Sequence, residues 1–276
     1  MADIKAADVA KLRKMTGAGM LDCKNALSET GGDFEQAIDI LRKKGQKIAI
    51  KRAEREATEG AVIAITNEDN SKGVLIVLNC ETDFVAKNDD FIKFAYSIAQ
   101  VALENMPADL EALKALPLEG KSIGEGVLNQ TGVIGEKIEL SFYAREESPY
   151  VIPYIHPGNK LATLVSLNMG DIEIQTAKDV AMQVAAMSPV SVNKDNVPQE
   201  VIDKELEIGR EIAIQEGKPA AIIDKIAEGK LNKFFRENTL LNQQFIKDNK
   251  ITVTDYLKQA DKNLTVNSFV RFALNN

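Results

Sequence analysis

Few side chains in this sequence could carry out chemistry. The chain has one histidine, His156, so a Ser-His-Asp or Cys-His nucleophilic device would have to use it. Neither Cys23 nor Cys80 lies near it in sequence, which leaves a pair in space open. Because Pro157-Gly158 follows His156, we expect this residue to be exposed in a turn or to cap one. No His/Cys cluster has zinc spacing and no acidic loop has calcium spacing, so we predict no catalytic residue and no metal site.

One segment resembles the end of a phosphate-binding loop but lacks the rest of it. Gly120-Lys121-Ser122 would need a glycine where the chain has Ala115, and the preceding Leu113–Leu116 has a helical pattern. We therefore expect no bound nucleotide and no other cofactor. The 41 Asp and Glu residues keep a carboxylate enzyme as an alternative, although none occurs in a pocket-forming context. We predict that the chain is not an enzyme.

The net charge of −7 argues against a general nucleic-acid binder, because phosphate neutralisation needs a basic surface. One segment differs, since residues 42–55 contain Arg42, Lys43, Lys44, Lys47, Lys51, Arg52 and Arg55. We interpret this segment as the solvated end of a helix and a linker, because no aromatic residues interleave the cations to stack on bases. Nucleic-acid binding by these cations remains an alternative, but we expect no nucleic acid to be required.

The sequence carries no sign of a membrane or secretory route. No apolar run is long enough to span a bilayer, and residues 1–6 lack the charged-then-apolar pattern of a secretory signal. With only two cysteines, a disulfide framework is not expected. We therefore expect a cytoplasmic protein with no membrane partner.

The start of the chain has the pattern of three short helices. Val9, Leu12 and Met15 form the apolar face of the first helix, which ends at a glycine-rich break. Two further apolar faces follow before the cations begin. We predict an N-terminal three-helix domain at residues 1–45 and a basic linker at residues 46–59.

The middle of the chain repeats one pattern. Two apolar runs, residues 61–65 and 74–78, flank a turn-rich segment and are followed by an amphipathic helix. The same order returns later, and laying Leu75–Asn79 on Leu164–Asn168 aligns one strand of each half. An alternating stretch over residues 136–144 predicts one more strand. We predict two related halves of antiparallel strands and helices that pack together.

A different pattern interrupts the second half. Residues 198–238 contain two helical stretches joined by Glu216-Gly217-Lys218-Pro219, with the narrow apolar stripes of an antiparallel helical hairpin. We therefore predict a first core half at residues 60–145 and a second half split into 146–197 and 239–276. The predicted fold class is α+β.

Two segments are more specific than these patterns. The first is residues 12–27, LRKMTGAGMLDCKNAL, and the second is residues 79–87, NCETDFVAK. They resemble the two signature stretches of the elongation factor Ts family, whose layout matches nearly the whole chain. The resemblance implies a guanine-nucleotide exchange factor for elongation factor Tu in translation elongation. It also implies that the N-terminal helices form a bundle like a ubiquitin-associated domain.

The resemblance further implies three contacts with elongation factor Tu·GDP. The positions that match the contact with the nucleotide domain are Arg13, Met20 and Leu21. The positions that match the segment intruding beside the magnesium site, and so promoting GDP release, are Thr82, Asp83, Phe84 and Val85. A loop of the second core half is expected to touch the third domain of the GTPase through His156.

Some questions stay open at the level of sequence. Spacing alone predicts that Phe84 packs into the core after its strand, whereas the resemblance predicts that it is presented to a partner. For Met20, helix core and partner contact are both open. The chain departs from the family at Val77, where a glutamate is usual, and at Pro157, where a small residue is common. We also expect it to lack a C-terminal helix that some members have. A homodimer through the core or hairpin stays open.

Overall fold

The elements of the chain follow from apolar spacing, and a computed structural model describes them over residues 4–274. The α-helices of this part are α1 Ala6–Thr16, α2 Met20–Glu29, α3 Phe34–Arg52, α4 Asp83–Ala86, α5 Asp89–Asn105, α6 Leu110–Ala115, α7 Ile123–Ile134, α8 Ile174–Met187, α9 Gln199–Gln215, α10 Ala220–Asn238 and α11 Val253–Ala260. The strands are β1 Glu59–Thr66, β2 Lys72–Cys80, β3 Pro117–Leu118, β4 Lys121–Ser122, β5 Glu139–Glu147, β6 Tyr150–Ile155, β7 Leu161–Leu167, β8 Gln244–Phe245, β9 Asp248–Thr252 and β10 Val266–Ala273. The predicted α+β class is confirmed.

Two three-stranded antiparallel sheets form the centre of the molecule. The first has the order β1-β2-β5 and the second the order β10-β7-β6, while β3-β4 and β8-β9 are small separate hairpins. The two segments that the sequence repeat aligns, Leu75–Asn79 and Leu164–Asn168, lie in or directly after β2 and β7. These are the central strands of their sheets, so the repeat predicted from sequence is present in the structure.

The two sheets pack against each other, and helices cover their outer faces. Alternate residues of β1 and β2, among them Val62 and Val77, join Ala162 and Phe272 in an apolar cluster between the sheets. The remaining residues of these strands face a cluster with α5, while β6 and β7 face α8 and α11. This helix–sheet–sheet–helix arrangement explains why the central strands are apolar on both faces.

The N-terminal helices form a separate small cluster. Val9 and Leu12 of α1 are buried in it, but Met15, in the last turn of α1, is 58% exposed and lies outside this cluster, so its assignment to the buried face is wrong. Helix α3 continues to Arg52, which makes the start of the expected linker helical. This long helix packs on α7 where Gly45 faces Gly132 so closely that a methyl group on Gly132 would overlap the Cα of Gly45.

The helices α9 and α10 form an antiparallel pair between the two parts of the second half. Gly209 of α9 lies against Ala227 of α10, where an added methyl group would approach the Ala227 Cα to 3.0 Å. After the pair, β10 returns to the free side of β7 and completes the second sheet. Over residues 4–274, the helices are all too short or too polar to cross a membrane.

Candidate functional site

A single helical turn follows the central strand of the first sheet and carries the segment that the resemblance singled out. Thr82 is the N-cap of α4, since its backbone is extended and its Oγ1 accepts a hydrogen bond from the Val85 N–H at 3.4 Å. Ala86 is buried and Val85 packs against the first core cluster. The turn therefore directs one side to the core and the other to solvent.

Phe84 lies on the solvent side of this turn. Its exposed fraction is 84%, the largest among the exposed large apolar residues in the described part of the chain. Spacing alone predicted a core position for Phe84, and that prediction is wrong because the neighbouring Val85 and Ala86 occupy the inward positions of α4. An aromatic side chain held this far out of the core is available to enter an apolar slot of a partner.

Asp83 places a fixed negative charge next to Phe84. Its carboxylate accepts a hydrogen bond from the Lys87 ammonium at 2.6 Å, one helical turn further on. This bond, together with the positive charge of Lys160, holds the pKa of Asp83 below its ordinary value, and Asp83 in turn raises the pKa of Lys87. Both groups are therefore charged at neutral pH.

His156 lies on a hairpin turn of the second half that reaches the first sheet. The Asn159 carbonyl of this turn accepts a hydrogen bond from the Val62 N–H at 2.7 Å, and Lys160 pairs with Glu59 at 2.7 Å. The His156 side chain is exposed, with its Nδ1 3.0 Å from the Tyr154 hydroxyl oxygen. The structure thus brings this turn near Asp83, whose pKa responds to Lys160.

The N-terminal candidates surround the turn between α1 and α2. Gly17 adopts a positive φ of 70° there and donates its N–H to the Arg13 carbonyl, which ends α1. Arg13, Met20 and Leu21 are all exposed, and Leu21 is 69% exposed. Met20 at 45% exposure is a surface residue and not part of the helix core. All three side chains are therefore accessible to a partner.

Residues that sequence reasoning missed lie at the base of α4. Glu81 pairs with Arg52 at 2.8 Å and with Arg55 at 3.2 Å, which ties the end of α3 to the strand before the candidate segment. Thr82 is bound by Glu136, which is 54 residues away in sequence. Glu81 lies inside a motif that the sequence singled out and could have been found there. Glu136 gives no local signal, because only the fold brings it to Thr82.

The described residues contain no group of three or more His, Cys, Asp or Glu side chains placed to hold a metal ion. Residues 4–274 present three exposed groups. These are Phe84 beside the Asp83 carboxylate, the apolar pair Met20 and Leu21, and the turn that carries His156. Exposed apolar side chains beside a charge are typical of the class of proteins that act by contact with a macromolecular partner.

Comparison with known proteins identifies the family within that class. The family model described as elongation factor TS matches residues 81–276. A protein called elongation factor Ts from Christiangramia forsetii is 55% identical over 275 residues, covering 99% of this chain and 100% of the relative. Proteins of the same name from Porphyromonas gingivalis and Chlorobium phaeobacteroides are 51% and 46% identical, covering 97% and 99% of this chain and 97% and 99% of the relatives. The chain belongs to the elongation factor Ts family, the nucleotide exchange factors of translation elongation.

Proposed function

We propose that this chain binds elongation factor Tu in its GDP form, disturbs the magnesium and phosphate site with residues Thr82–Val85 and so promotes GDP release. The observation that carries the proposal is Phe84, 84% exposed at the start of a capped helical turn, with the charged Asp83 before it. An apolar anchor and an anion side by side suit a site where a cation and phosphates are balanced.

The physics of these residue types supports exchange by contact. Burial of Phe84 in an apolar slot would contribute about 1.5–3 kcal/mol to binding. The negative charge of Asp83, brought near a bound magnesium ion, changes the electrostatic balance that holds the nucleotide phosphates. A partner that prefers the empty GTPase lowers its nucleotide affinity by the same factor by which nucleotide lowers affinity for the partner. In this proposal no bond is made or broken, and the chain is not an enzyme.

Further contacts complete the proposed complex. Arg13, Met20 and Leu21 would dock the N-terminal unit, residues 1–45, on the nucleotide domain of the GTPase. The turn with His156 would touch the third domain of the GTPase from the second core half. Exposure of these four side chains supports the proposal.

A second candidate function is nucleic-acid binding by α3. Lys43, Lys47 and Lys51 are exposed and recur every fourth residue, so they share one helix face. Arg52 and Arg55 do not belong to this face, because both pair with Glu81. Replacement of the three lysines by glutamine should abolish any salt-dependent retention on RNA and leave exchange intact. Salt-dependent retention of the wild-type protein on RNA, lost in this triple variant, would favour the second function.

The test of the proposed function is release of a fluorescent GDP from purified elongation factor Tu of the same organism. Substoichiometric amounts of this protein should accelerate release many-fold, and the combined change Asp83→Ala and Phe84→Ala should remove the acceleration. No acceleration by the folded wild-type protein, with an active GTPase, would overturn the proposal.

A further inference from the structure

One carboxylate holds the base of the Thr82–Val85 segment. The Thr82 N–H donates to Glu136 Oε2 at 3.0 Å, and the Thr82 hydroxyl donates to Glu136 Oε1 at 2.7 Å. With its proton directed to Glu136, Thr82 Oγ1 presents a lone pair to the Val85 N–H, which donates to it at 3.4 Å. Glu136 thus orients the hydroxyl that caps α4. Hydrogen bonds to an ionised acceptor are about twice as strong as neutral ones.

The neighbouring residues form the reciprocal contact. The Lys137 N–H donates to Glu81 Oε1 at 2.6 Å, so residues 136–137 and 81–82 each supply a carboxylate to the backbone of the other pair. Burial acts to raise the pKa of Glu81, but the Lys137 N–H together with Arg52 and Arg55 lowers it below its ordinary value. This double clamp fixes where the polypeptide leaves the sheet before α4 begins.

The clamp lies at the end of a helix that also touches the turn between α1 and α2. Helix α7 is closed by Gly135, which has φ of 81° and directly precedes Glu136. Two residues earlier, Val133 lies against Gly17, where an added methyl group would come within 3.2 Å of Val133 Cγ1. One short stretch of chain therefore contacts the turn between α1 and α2 and holds the base of α4.

We propose that Glu136 is a positioning residue for nucleotide exchange, which holds Thr82–Val85 so that Asp83 and Phe84 are presented in one fixed direction. Phe84 is 84% exposed and gains little from packing within its own chain, so the base of α4 must set its direction. A preformed loop loses less conformational freedom when it enters a partner than a mobile loop does. This inference rests on the proposed function.

A double-mutant cycle tests the role of Glu136 in the release of fluorescent GDP. Glu136→Ala should lower the acceleration by roughly tenfold or more. A tenfold loss corresponds to about 1.4 kcal/mol. Glu136→Gln should be intermediate, because its amide keeps one acceptor and can donate to the Thr82 hydroxyl oxygen. In the background of Phe84→Ala, which keeps part of the acceleration, Glu136→Ala should cause a clearly smaller loss than in the wild-type background, because one of the residues it positions is already absent.

Glu139→Ala is the matched control. Glu139 is an exposed carboxylate three residues further on, and it forms an ion pair with the Lys137 ammonium at 3.0 Å. This change should leave exchange at the wild-type rate in both backgrounds. A wild-type rate for Glu136→Ala, or a loss that adds in full to that of Phe84→Ala, would overturn the positioning role while leaving the proposed function in place.

Amide hydrogen exchange in the protein alone tests the clamp without the GTPase. Glu136→Ala, or Glu136→Gln if the alanine variant does not fold, should make the Thr82 and Val85 amides exchange at least severalfold faster, whereas Glu139→Ala should not. Unchanged protection of both amides would overturn the clamp. If the wild-type protein fails to accelerate GDP release, the proposed function and the role of Glu136 in exchange both fail, and this measurement still decides whether Glu136 orders the loop.

Discussion

The first and second halves of the molecule use the end of their central strand in opposite ways. In the first half, β2 ends at Cys80, and α4 then presents Phe84 to solvent. The Cys80 thiol donates to the Thr82 carbonyl at 3.2 Å, and burial raises the pKa of this thiol to about 12, so it stays protonated. Hydrogen bonds at the base of α4 hold the Thr82–Val85 segment in place, while the Phe84 side chain is left exposed.

In the second half, the residues after β7 turn back onto the core. The Asn168 side chain donates to the Asn263 carbonyl at 2.9 Å and accepts from the Thr265 N–H at 2.8 Å. Met169 and Ile172 then pack against the second core cluster. The same strand position therefore leads to an inward apolar segment here and to an outward one in the first half.

This difference separates the residues proposed to act on a partner from the residues that stabilise the fold. A side chain that is already exposed costs little stability when it is removed, whereas a packed side chain costs more. Substitutions at matching places in the two halves should therefore move different quantities, exchange in the first half and the free energy of unfolding in the second.

The largest expected effect is that of Phe84→Ala on exchange. Loss of about 1.5–3 kcal/mol of apolar burial in the complex corresponds to a roughly 10- to 150-fold lower acceleration of GDP release. The free energy of unfolding, measured by urea titration, should change by less than about 0.5 kcal/mol because the ring is exposed. A large loss of stability would instead place Phe84 in the core and contradict its presentation to a partner.

Asp179→Asn should mainly affect the free energy of unfolding. Burial acts to raise the pKa of Asp179, but hydrogen bonds from Lys247, Gln175 and Tyr256 lower it below its ordinary value. The unfolded state therefore binds the proton more readily than the folded state does. The stabilisation from the Asp179 carboxylate is present above its ordinary pKa of 3.8 and is lost as pH falls through the lower pKa of the folded state. We expect a loss of about 1.5–3 kcal/mol at pH 7, measured by urea titration.

The same titration at acid pH and a matched variant sharpen that result. At pH below the folded-state pKa of Asp179, wild type and Asp179→Asn should differ much less than at pH 7. Asp171→Asn, at an exposed acid of the same half, should be neutral at both pH values. An equal loss at both pH values would show that the Asp179 charge is not the source of the stabilisation.

Ile172→Ala should separate the two halves directly. The side chain is half-buried against the second core cluster, so its removal should cost about 1–2 kcal/mol in the free energy of unfolding. GDP release by the folded variant should stay within twofold of wild type. A variant that unfolds normally but exchanges poorly would mean that this segment also contacts the partner.

The smallest expected effect is that of Lys87→Met, which removes the partner of Asp83 from the surface. Because the pair is exposed, the free energy of unfolding should change by less than about 0.5 kcal/mol. The unpaired Asp83 charge should make GDP release more dependent on salt, with a change within about threefold at low ionic strength. Lys93→Met, at an exposed lysine paired with Asp90, is the control and should not alter the salt dependence.

Sequence patterns predicted the repeated core because its signal is local. Leu75–Leu78 is apolar on both faces, which is what a central strand between a sheet and a helix requires, and Leu164, Val165 and Leu167 keep most of this pattern in the second half. The position of Phe84 was not available from spacing, since a run of apolar residues does not tell which of them faces outward. It follows instead from the cap at Thr82, which fixes the phase of α4.

Other features depend on contacts between distant parts of the chain. The length of α3 was underestimated because Gly45 and a run of cations indicate a helix end. Gly45 is tolerated within the helix since it faces Gly132, and Arg52 at the helix end pairs with Glu81. None of these partners is near in sequence, so no local pattern could predict them.

The order of the strands has a consequence for how the protein is made. The first sheet is complete once Glu147 has been synthesised, whereas the second lacks a strand until Val266–Ala273 emerges. Because chains grow from the N-terminus and units fold as they appear, the first half can fold while the helical pair is still being translated. A ribosome stalled within α10 would therefore carry a chain with its Thr82–Val85 turn formed and one edge of β7 still unpaired.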